Sequence, residues 1–172
     1  MLQELQNIIP ADFSDDSRVW VYQSSRAFIE REQAEINEQL EQFYTQWQSH
    51  GDPVKGWAKL VFGQFIIFMA DESSSQVSGC STDSSVRIVK SIERQYEVNM
   101  FDRMMLTFLV NGKAEMLPMN QVQYALDKGY IKHDTPLFSN VVLTKAELMT
   151  KWLVPLEKSW LAGRLNLSHA AE

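Results

Sequence analysis

The feature that most constrains the fold is an apolar run, Gln64 to Asp71, which reads QFIIFMAD. Its apolar residues do not alternate with polar ones, so both faces of a strand formed here must be covered. The run therefore predicts a strand at the centre of a sheet. It is far too short to span a bilayer, which takes about 20 residues. Residues Trp57 to Phe62 predict a neighbouring strand, joined to the first by a tight turn at Gly63.

Helix and hairpin signals appear along the rest of the chain. Ile29 to Ser49 carries apolar residues at helical spacing. Asn111-Gly112 is the strongest short signal for a hairpin, because both residues tolerate positive φ. Thr144 to Glu147 is a capping box, which opens another helix. The further predictions are an interior strand at Arg18 to Gln23, a helix from Thr82 to Tyr96 with Ser81 as its N-cap, a helix capped by Asn120 and ending at Gly129, and a short strand or extended segment at Phe138 to Leu143.

These elements predict an α+β fold. We expect a single domain over residues 1–172, with a mixed, largely antiparallel sheet and two hairpins packed against helices. Residues 1–16 are predicted to form a loose N-terminal arm, since Pro10 interrupts any regular pattern there. Residues 163–172 are predicted to form a frayed tail.

Charge and cysteine content exclude several classes of function. The formal net charge of −6 at pH 7 disfavours broad binding to nucleic acid or anionic membranes, and no block of lysine and arginine reverses it locally. The single cysteine excludes an internal disulfide and suits a reducing compartment. The first residues lack the basic start and apolar core of a signal peptide. The sequence therefore predicts a cytoplasmic protein that binds neither nucleic acid nor membranes.

Two short motifs resemble those of nucleotide hydrolases. Phe65 to Glu72, FIIFMADE, resembles a Walker B strand, and Val77 to Ser81, VSGCS, resembles the signature loop of ABC transporter ATPases. Such enzymes also need a glycine-rich loop that ends in Gly-Lys-Ser/Thr and cradles the phosphates, and the sequence contains none. The signature-like loop also follows the Walker B strand here, whereas it precedes that strand in those ATPases. The sequence therefore predicts that the protein is not a genuine ABC ATPase.

Cys80 is the candidate catalytic or redox residue. It is predicted to lie just before a helix, where the helix dipole and free backbone amides favour a thiolate. The arrangement resembles the phosphate loop of protein tyrosine phosphatases. Six residues, however, separate Cys80 from Arg87 instead of five, and Val86 stands where the arginine should be. His50 and His133 could approach the thiol only through folding. The alternative interpretation is a small residue packed under the start of the helix.

A non-covalent ligand site is a further hypothesis for the same segment. A helix N-terminus is a ready anion site, and the end of a central strand is a common place for ligands to bind. Two acidic side chains near this strand end and helix N-terminus would, however, repel an anion. No pair of histidines or cysteines has the spacing of metal ligands, so we predict no metal and no cofactor. The candidate ligand-binding residues are Asp71, Ser78, Gly79, Ser81, Asp83, Arg87 and Arg18.

Several segments resemble a family of short bacterial proteins that often carry the label "ABC transporter ATPase". The matching residues are Asp16 to Gln23, Ser78 to Ser81 with Asp83 and Val86-Arg87, Phe101 to Arg103, and Thr144-Lys145 followed by Trp152, Val154-Pro155 and Ser159-Trp160. The resemblance runs from about residue 13 to residue 160. The family has no established activity, so the resemblance implies a cytoplasmic single domain and supplies no catalytic residues.

The leading interpretation is a small cytoplasmic α+β protein without catalysis that binds a small ligand or a protein partner. The alternative is an enzyme that uses Cys80, with Arg87 or Arg18 holding an anionic group. A third hypothesis is a homodimer formed through exposed aromatic surface. The sequence leaves the identity of the ligand or partner open, and it also leaves the strand order open.

Overall fold

The structure, a computed structural model, describes residues 2–72 and 79–167, apart from the side chains of residues 2–3 and 79–81. The helices are α1 (Leu2–Ile8), α2 (Glu30–Thr45), α3 (Gly79–Gln95), α4 (Val122–Asp127) and α5 (Lys145–Lys151). The strands are β1 (Arg18–Gln23), β2 (Gln48–Ser49), β3 (Asp52–Pro53), β4 (Lys55–Val61), β5 (Phe65–Asp71), β6 (Met105–Val110), β7 (Lys113–Pro118), β8 (Pro136–Phe138) and β9 (Leu153–Pro155). The described strand pairs are antiparallel and helices pack with them, so the α+β class is confirmed.

The chain groups into two compact units. Unit 1 comprises Met1–Asp102 and Asn140–Met149, and unit 2 comprises Arg103–Ser139 and Thr150–Glu172. Each unit encloses its own cluster of buried apolar side chains, and each is described by itself below. The single domain over residues 1–172 stays a prediction.

β5 is the middle strand of the main sheet in unit 1. This sheet has the order β1-β5-β4, and all seven residues of β5 are buried. The central position of β5 follows from its unbroken apolar sequence, because a central strand has both faces covered and its apolar side chains are not exposed to solvent. The prediction of an interior strand at β1 is wrong, since β1 lies at the edge of this sheet. At its start, that edge meets residues 143–144, where the Val19 amide donates to the Leu143 carbonyl at 2.9 Å.

Both predicted hairpins are confirmed. β4 turns into β5 through Phe62 and Gly63, whose φ angles are 52° and 64°. β6 turns into β7 through Asn111 and Gly112, with φ angles of 51° and 77°. Positive φ at both central residues is the geometry of a type I′ turn, whose twist matches that of the strands. Asparagine and glycine adopt it easily, whereas Phe62 adopts it at a steric cost.

α2 begins where the sequence predicts but ends four residues before the predicted Ser49. The reason is a small hairpin of β2 and β3 that occupies residues 48–53. Its turn uses His50 and Gly51 with φ angles of 52° and 91°. Residues with positive φ suit a hairpin turn as well as a helix end, so the sequence signal fitted both. The buried apolar side chains of α2 are Ile36 and Leu40.

The N-terminal segment is packed onto unit 1 rather than loose. Leu5, Ile9 and Phe13, spaced four residues apart, are 0%, 6% and 8% exposed. Pro10 follows α1 and ends the helix, but the packing continues beyond it. The expectation of a loose arm over residues 1–16 is therefore corrected, because apolar burial holds this segment even where its helix stops.

The C-terminal end of α3 places Glu97 in the left-handed region of backbone space, at φ 51°. The Val98 amide donates to the Glu93 carbonyl at 3.1 Å, which is the hydrogen bond of a Schellman motif. Glycine usually holds this position, because a side chain there costs about 1 kcal/mol. The sequence has no glycine here, and the helix ends by accepting strain at Glu97.

Replacing Glu97 with glycine is expected to raise the free energy of unfolding by about 1 kcal/mol, since the exposed side chain makes no ion pair with a described residue. Thermal denaturation should show a melting midpoint about 3 °C higher. The control Lys90→Gly, at an exposed position inside α3, should lower the midpoint by a similar amount. A midpoint for Glu97→Gly at or below that of the wild type would show that the backbone at Glu97 is not strained.

Tyr96, directly after α3, is held in its neutral form. Burial raises the pKa of Tyr96 to about 12, and the hydrogen bond that its hydroxyl donates to the Glu35 carboxylate at 2.9 Å adds to the effect. Its ring also packs edge-on against Phe28, with 5.7 Å between the ring centroids. Tyr96 thus ties the end of α3 to α2.

In an alkaline titration we expect one phenol to ionise near pH 12, and we expect this late step to vanish in Tyr96→Phe. The unfolded chain ionises the same phenol near its ordinary pKa of 10.0. The stability that it contributes is therefore complete below pH 10.0 and is lost as the pH rises through about 12. Ultraviolet titration of phenolate checks this. Superimposable curves for the two proteins would refute the assignment.

Unit 2 is built on a four-stranded sheet with the order β7-β6-β8-β9. α4 and a short 3-10 turn, Leu156–Lys158, supply side chains to its core, and Leu161, just before a second 3-10 turn (Ala162–Arg164), adds another. The buried core residues are Leu106, Phe108, Val122, Ala125, Leu126, Ile131, Leu137, Leu156 and Leu161. Part of the predicted frayed tail is therefore ordered against this core through Leu165 and Leu167, and residues 168–172 lie outside the described residues.

Two boundaries in unit 2 differ from the prediction. Asn120 lies inside a 3-10 turn, Met119–Gln121, so it is not the N-cap of α4. The end of this helix at Gly129 is confirmed, with φ at 72°. The strand predicted at Phe138 to Leu143 starts earlier, as β8, because its partner β9 pairs with Pro136–Phe138.

The predicted capping box at the start of α5 is confirmed in a shifted form. The Glu147 amide donates to the Thr144 hydroxyl at 3.2 Å. The Glu147 carboxylate accepts from the amide of Leu143 at 3.0 Å, one residue before the N-cap. The Thr144 side chain thus satisfies a backbone donor of the first helical turn, and the Glu147 side chain satisfies one just before the helix.

Candidate functional site

The strand-loop-helix segment singled out by the sequence is only partly described. Residues 73–78, and Ser78 with them, lie outside the described residues. α3 begins at Gly79, so Cys80 and Ser81 lie in its first turn. The N-cap predicted at Ser81 is wrong, because the helix starts three residues earlier than predicted. The side chains of these three helical residues lie outside the description, so a reactive thiol at Cys80 stays a prediction.

Asp71 is engaged by other parts of unit 1. It is 3% exposed at the end of β5, and its Oδ2 atom accepts hydrogen bonds from the Ser14 amide at 3.3 Å and from the Lys55 ammonium at 3.2 Å. The Asp71 carboxylate is therefore stabilised by donors of the protein itself. Asp71 thus fixes the N-terminal segment to the end of the central strand, and a ligand role for it stays a prediction.

Lys55 connects Asp71 to the N-terminal segment. Its Nζ atom donates to the Asp12 carbonyl at 2.6 Å, lies 3.3 Å from the Asp12 carboxylate, and stands 4.8 Å from the centre of the Phe13 ring. Burial by itself lowers the pKa of Lys55, but the hydrogen bonds to Asp71 and Asp12 outweigh it, so the net pKa is raised. This lysine therefore stays charged and is a structural cation.

A second lysine clamps the same segment. The Nζ atom of Lys145 donates to the backbone carbonyls of Pro10, Ala11 and Phe13 at 3.1, 3.4 and 2.6 Å. Its side chain is buried, with 9% exposed. The backbone amide of Lys145 also donates to the Ser17 carbonyl at 2.9 Å. Three carbonyl oxygens around one ammonium form a closed set of partners, so this cluster holds the chain in place and leaves no donor for a ligand.

The structure also gives the positions of Arg18, Asp83 and Arg87, the remaining candidate residues. Arg18 pairs with Glu72 at 3.2 Å, and its guanidinium lies 4.9 Å from the Trp20 ring centre. Asp83 and Arg87 are exposed on α3, and Arg87 donates to the Ser84 hydroxyl at 3.4 Å. Arg18 and Asp71 lie at the same end of the main sheet, since Arg18 pairs in register with the residue before Asp71. Each of these two is held by a partner of opposite charge.

Within residues 2–72 and 79–167, no group of three or more histidine, cysteine, aspartate or glutamate residues could hold a metal ion. None of the described helices is both long enough and apolar enough to cross a bilayer.

Unit 2 presents a different kind of surface, which we call the aromatic-cation surface. It consists of Tyr124, Lys128, Tyr130, Lys132, Trp160 and Arg164. Its three aromatic side chains, Tyr124, Tyr130 and Trp160, are 59%, 68% and 38% exposed. The Lys128 ammonium lies 5.8 Å from the centre of the Tyr124 ring, and the Arg164 guanidinium lies 5.5 Å from the Trp160 ring. Large aromatic groups are thus exposed beside cations.

Backbone and side-chain hydrogen bonds hold the segments of this surface together. At one end, the Gln123 side chain accepts from the Asn166 amide at 2.8 Å and donates to its carbonyl at 3.3 Å. At the other end, the Glu157 amide donates to the His133 carbonyl at 2.9 Å, and the Leu156 amide donates to the Thr135 carbonyl at 3.0 Å. α4, the turn that follows it and residues 156–166 are therefore neighbours within unit 2.

The sequence contains a spacing signal for this surface. Tyr124 and Lys128 are four residues apart, and so are Trp160 and Arg164. Side chains at that spacing meet on one face of a helix. Exposure, however, decides whether such a pair lies in the core or on the surface, and the spacing alone does not determine exposure.

No family model, no curated protein and no solved structure matches this chain.

Proposed function

We propose that this protein is a non-catalytic, cytoplasmic binding domain that recognises a protein partner through the aromatic-cation surface. The observation that carries the proposal is the exposure of Tyr124, Tyr130 and Trp160 on hydrogen-bonded neighbouring segments of one unit. Single exposed hydrophobic residues need no explanation. Tyrosine, tryptophan and arginine, however, are the residues enriched at protein interfaces and at the positions that dominate binding energy.

The polar residues elsewhere support this choice over a small-ligand site at the end of β5. There, Asp71 is held by Lys55 and Ser14, and Arg18 is held by Glu72. A ligand at that place would have to displace contacts that anchor the N-terminal segment. Binding at the aromatic-cation surface requires no such rearrangement.

The experiment is a selection from a displayed library of random peptides against the purified full chain. We expect enriched peptides to bind the wild type and to lose about tenfold or more in affinity for the Tyr124→Ala/Tyr130→Ala double variant, as hot-spot residues do. The matched control is Val141→Ala/Leu143→Ala, which truncates two side chains of unit 1 that are 60% and 69% exposed. The control should bind the same peptides as the wild type does.

Circular dichroism and thermal denaturation establish that both double variants are folded before binding is compared. Peptides that bind the tyrosine variant as well as the wild type would place recognition elsewhere on the protein. That outcome would reject the proposed function.

A further inference from the structure

The cations of unit 2 differ from those of unit 1 in how they are paired. In the described part of unit 2, seven residues are lysine or arginine and four are aspartate or glutamate. Apart from Lys151, none of these cations forms an ion pair with a described residue. In unit 1, by contrast, carboxylates pair with Arg18, Arg26, Arg31 and Lys55. The cations in the described part of unit 2, Lys151 excepted, are therefore not neutralised by ion pairs with described residues.

Two cationic side chains of the aromatic-cation surface, Arg164 and Lys128, lie against its aromatic rings. The guanidinium of Arg164 lies over Trp160 and donates no side-chain hydrogen bond to a described residue. A planar guanidinium held on an aromatic ring keeps its N–H donors free to take a carboxylate in a two-pronged geometry. The Lys128 side chain, over Tyr124, likewise donates no hydrogen bond to a described residue.

Three carboxylates belong to the same segments, namely Asp127, Asp134 and Glu157. None of them lies within 4.0 Å of a described cation. The Asp127 carboxylate instead accepts a hydrogen bond from the Gln123 side chain at 2.8 Å. The local acids therefore leave the stacked cations unpaired.

Building on the proposed function, we propose that the aromatic-cation surface binds a short acidic segment of a partner protein, in which aspartate or glutamate alternates with apolar residues. Carboxylates of the segment pair with Lys128, Lys132 and Arg164. Its apolar side chains pack on the faces of Tyr124 and Tyr130. The combination matches the two chemistries that the surface exposes side by side.

The overall charge favours a short acidic peptide over nucleic acid. A long polyanion interacts with the field of the whole protein, which carries a net charge of −6. A short segment interacts mainly with the charges that it touches, because salt screens the others beyond about 8 Å at physiological ionic strength.

The test uses peptides that the library selection enriches on the wild type and loses on Tyr124→Ala/Tyr130→Ala. We expect these peptides to be rich in aspartate and glutamate. Fluorescence anisotropy with labelled synthetic copies should show binding about tenfold or more weaker for Lys128→Glu/Arg164→Glu. The control Lys59→Glu/Lys113→Glu makes the same change in net charge at two exposed positions outside the surface, and its binding should be unchanged. Added salt should weaken the wild-type complex.

The outcomes separate the acidic partner from the proposed function itself. Selected peptides that depend on Tyr124 and Tyr130 but are neutral or basic would overturn the acidic partner and leave the binding surface standing. Equal affinity of the two charge-reversal variants would overturn the acidic partner as well. Tighter binding of a single-stranded oligodeoxythymidine than of the acidic peptides would assign the surface to nucleic acid instead. The absence of any peptide that depends on the tyrosines would reject both proposals.

Discussion

Replacing Lys145 with methionine is expected to lower the melting midpoint by about 9 °C, which corresponds to about 3 kcal/mol at about 3 °C per kcal/mol for a chain of this size. Methionine has a similar shape but donates no hydrogen bond. It therefore leaves the carbonyl oxygens of Pro10, Ala11 and Phe13 without the ammonium that now satisfies them. Buried acceptors that lose their donor cost more than the hydrogen bond itself contributes.

Hydrogen exchange localises this loss of stability, and a control variant shows that it is specific to Lys145. Hydrogen exchange should accelerate at residues 10–17, because the segment loses its clamp, while β5 keeps its protection. The control Lys59→Met removes an exposed lysine from β4 and should change the free energy of unfolding by at most about 0.5 kcal/mol. A Lys145→Met protein as stable as this control would mean that the N-terminal segment is held by its apolar residues alone.

Replacing Phe68 with alanine is expected to be at least as damaging, with a loss of about 4 kcal/mol. Phe68 is fully buried in the centre of β5. Its ring meets the rings of Tyr22, Phe43 and Trp47 edge-on, with centroids 5.9, 5.8 and 6.3 Å away. Truncation removes the buried ring and leaves a cavity that these large neighbours cannot fill without leaving their own contacts.

Chemical denaturation monitored by circular dichroism measures this loss. Phe68→Leu should recover more than half of the stability, because it refills most of the cavity. The comparison is Tyr130→Ala, which truncates an aromatic ring that is 68% exposed and should cost at most about 0.5 kcal/mol. A large cost at Tyr130 would show that its ring serves the fold, and it would remove the main support for the binding surface.

Local signals in the sequence were enough to predict several elements. The run through β5 could only be central, because it has no polar side. The pair Asn111-Gly112 predicted its hairpin because both residues accept positive φ, and both have it. The capping box predicted the start of α5 because Thr144 and Glu147 act on neighbouring backbone amides. Each of these signals acts within a few residues of itself.

Features that depend on distant partners were not predictable in this way. Pro10 predicts a loose N-terminal segment because it interrupts the helical pattern, whereas the lysine that holds the segment, Lys145, lies 135 residues further along the chain. The sequence predicts Asp71 as a ligand-binding residue, but Lys55 and Ser14 contact its carboxylate through tertiary hydrogen bonds. Two aromatic-cation pairs of this surface are four residues apart in the sequence. Whether the pair on α4 is exposed, however, depends on which side of α4 packs on the sheet, which the spacing does not determine. Ser78, at the loop of the original candidate site, lies outside the described residues.

The most direct test of the central claim is nuclear magnetic resonance mapping of a selected peptide on the isotope-labelled full chain. The account predicts chemical-shift changes concentrated at residues 123–135 and 156–166, including the indole N–H of Trp160. Changes concentrated at residues 71–87 around Cys80, with the unit 2 resonances unmoved, would contradict it and return the functional site to the strand-loop-helix segment.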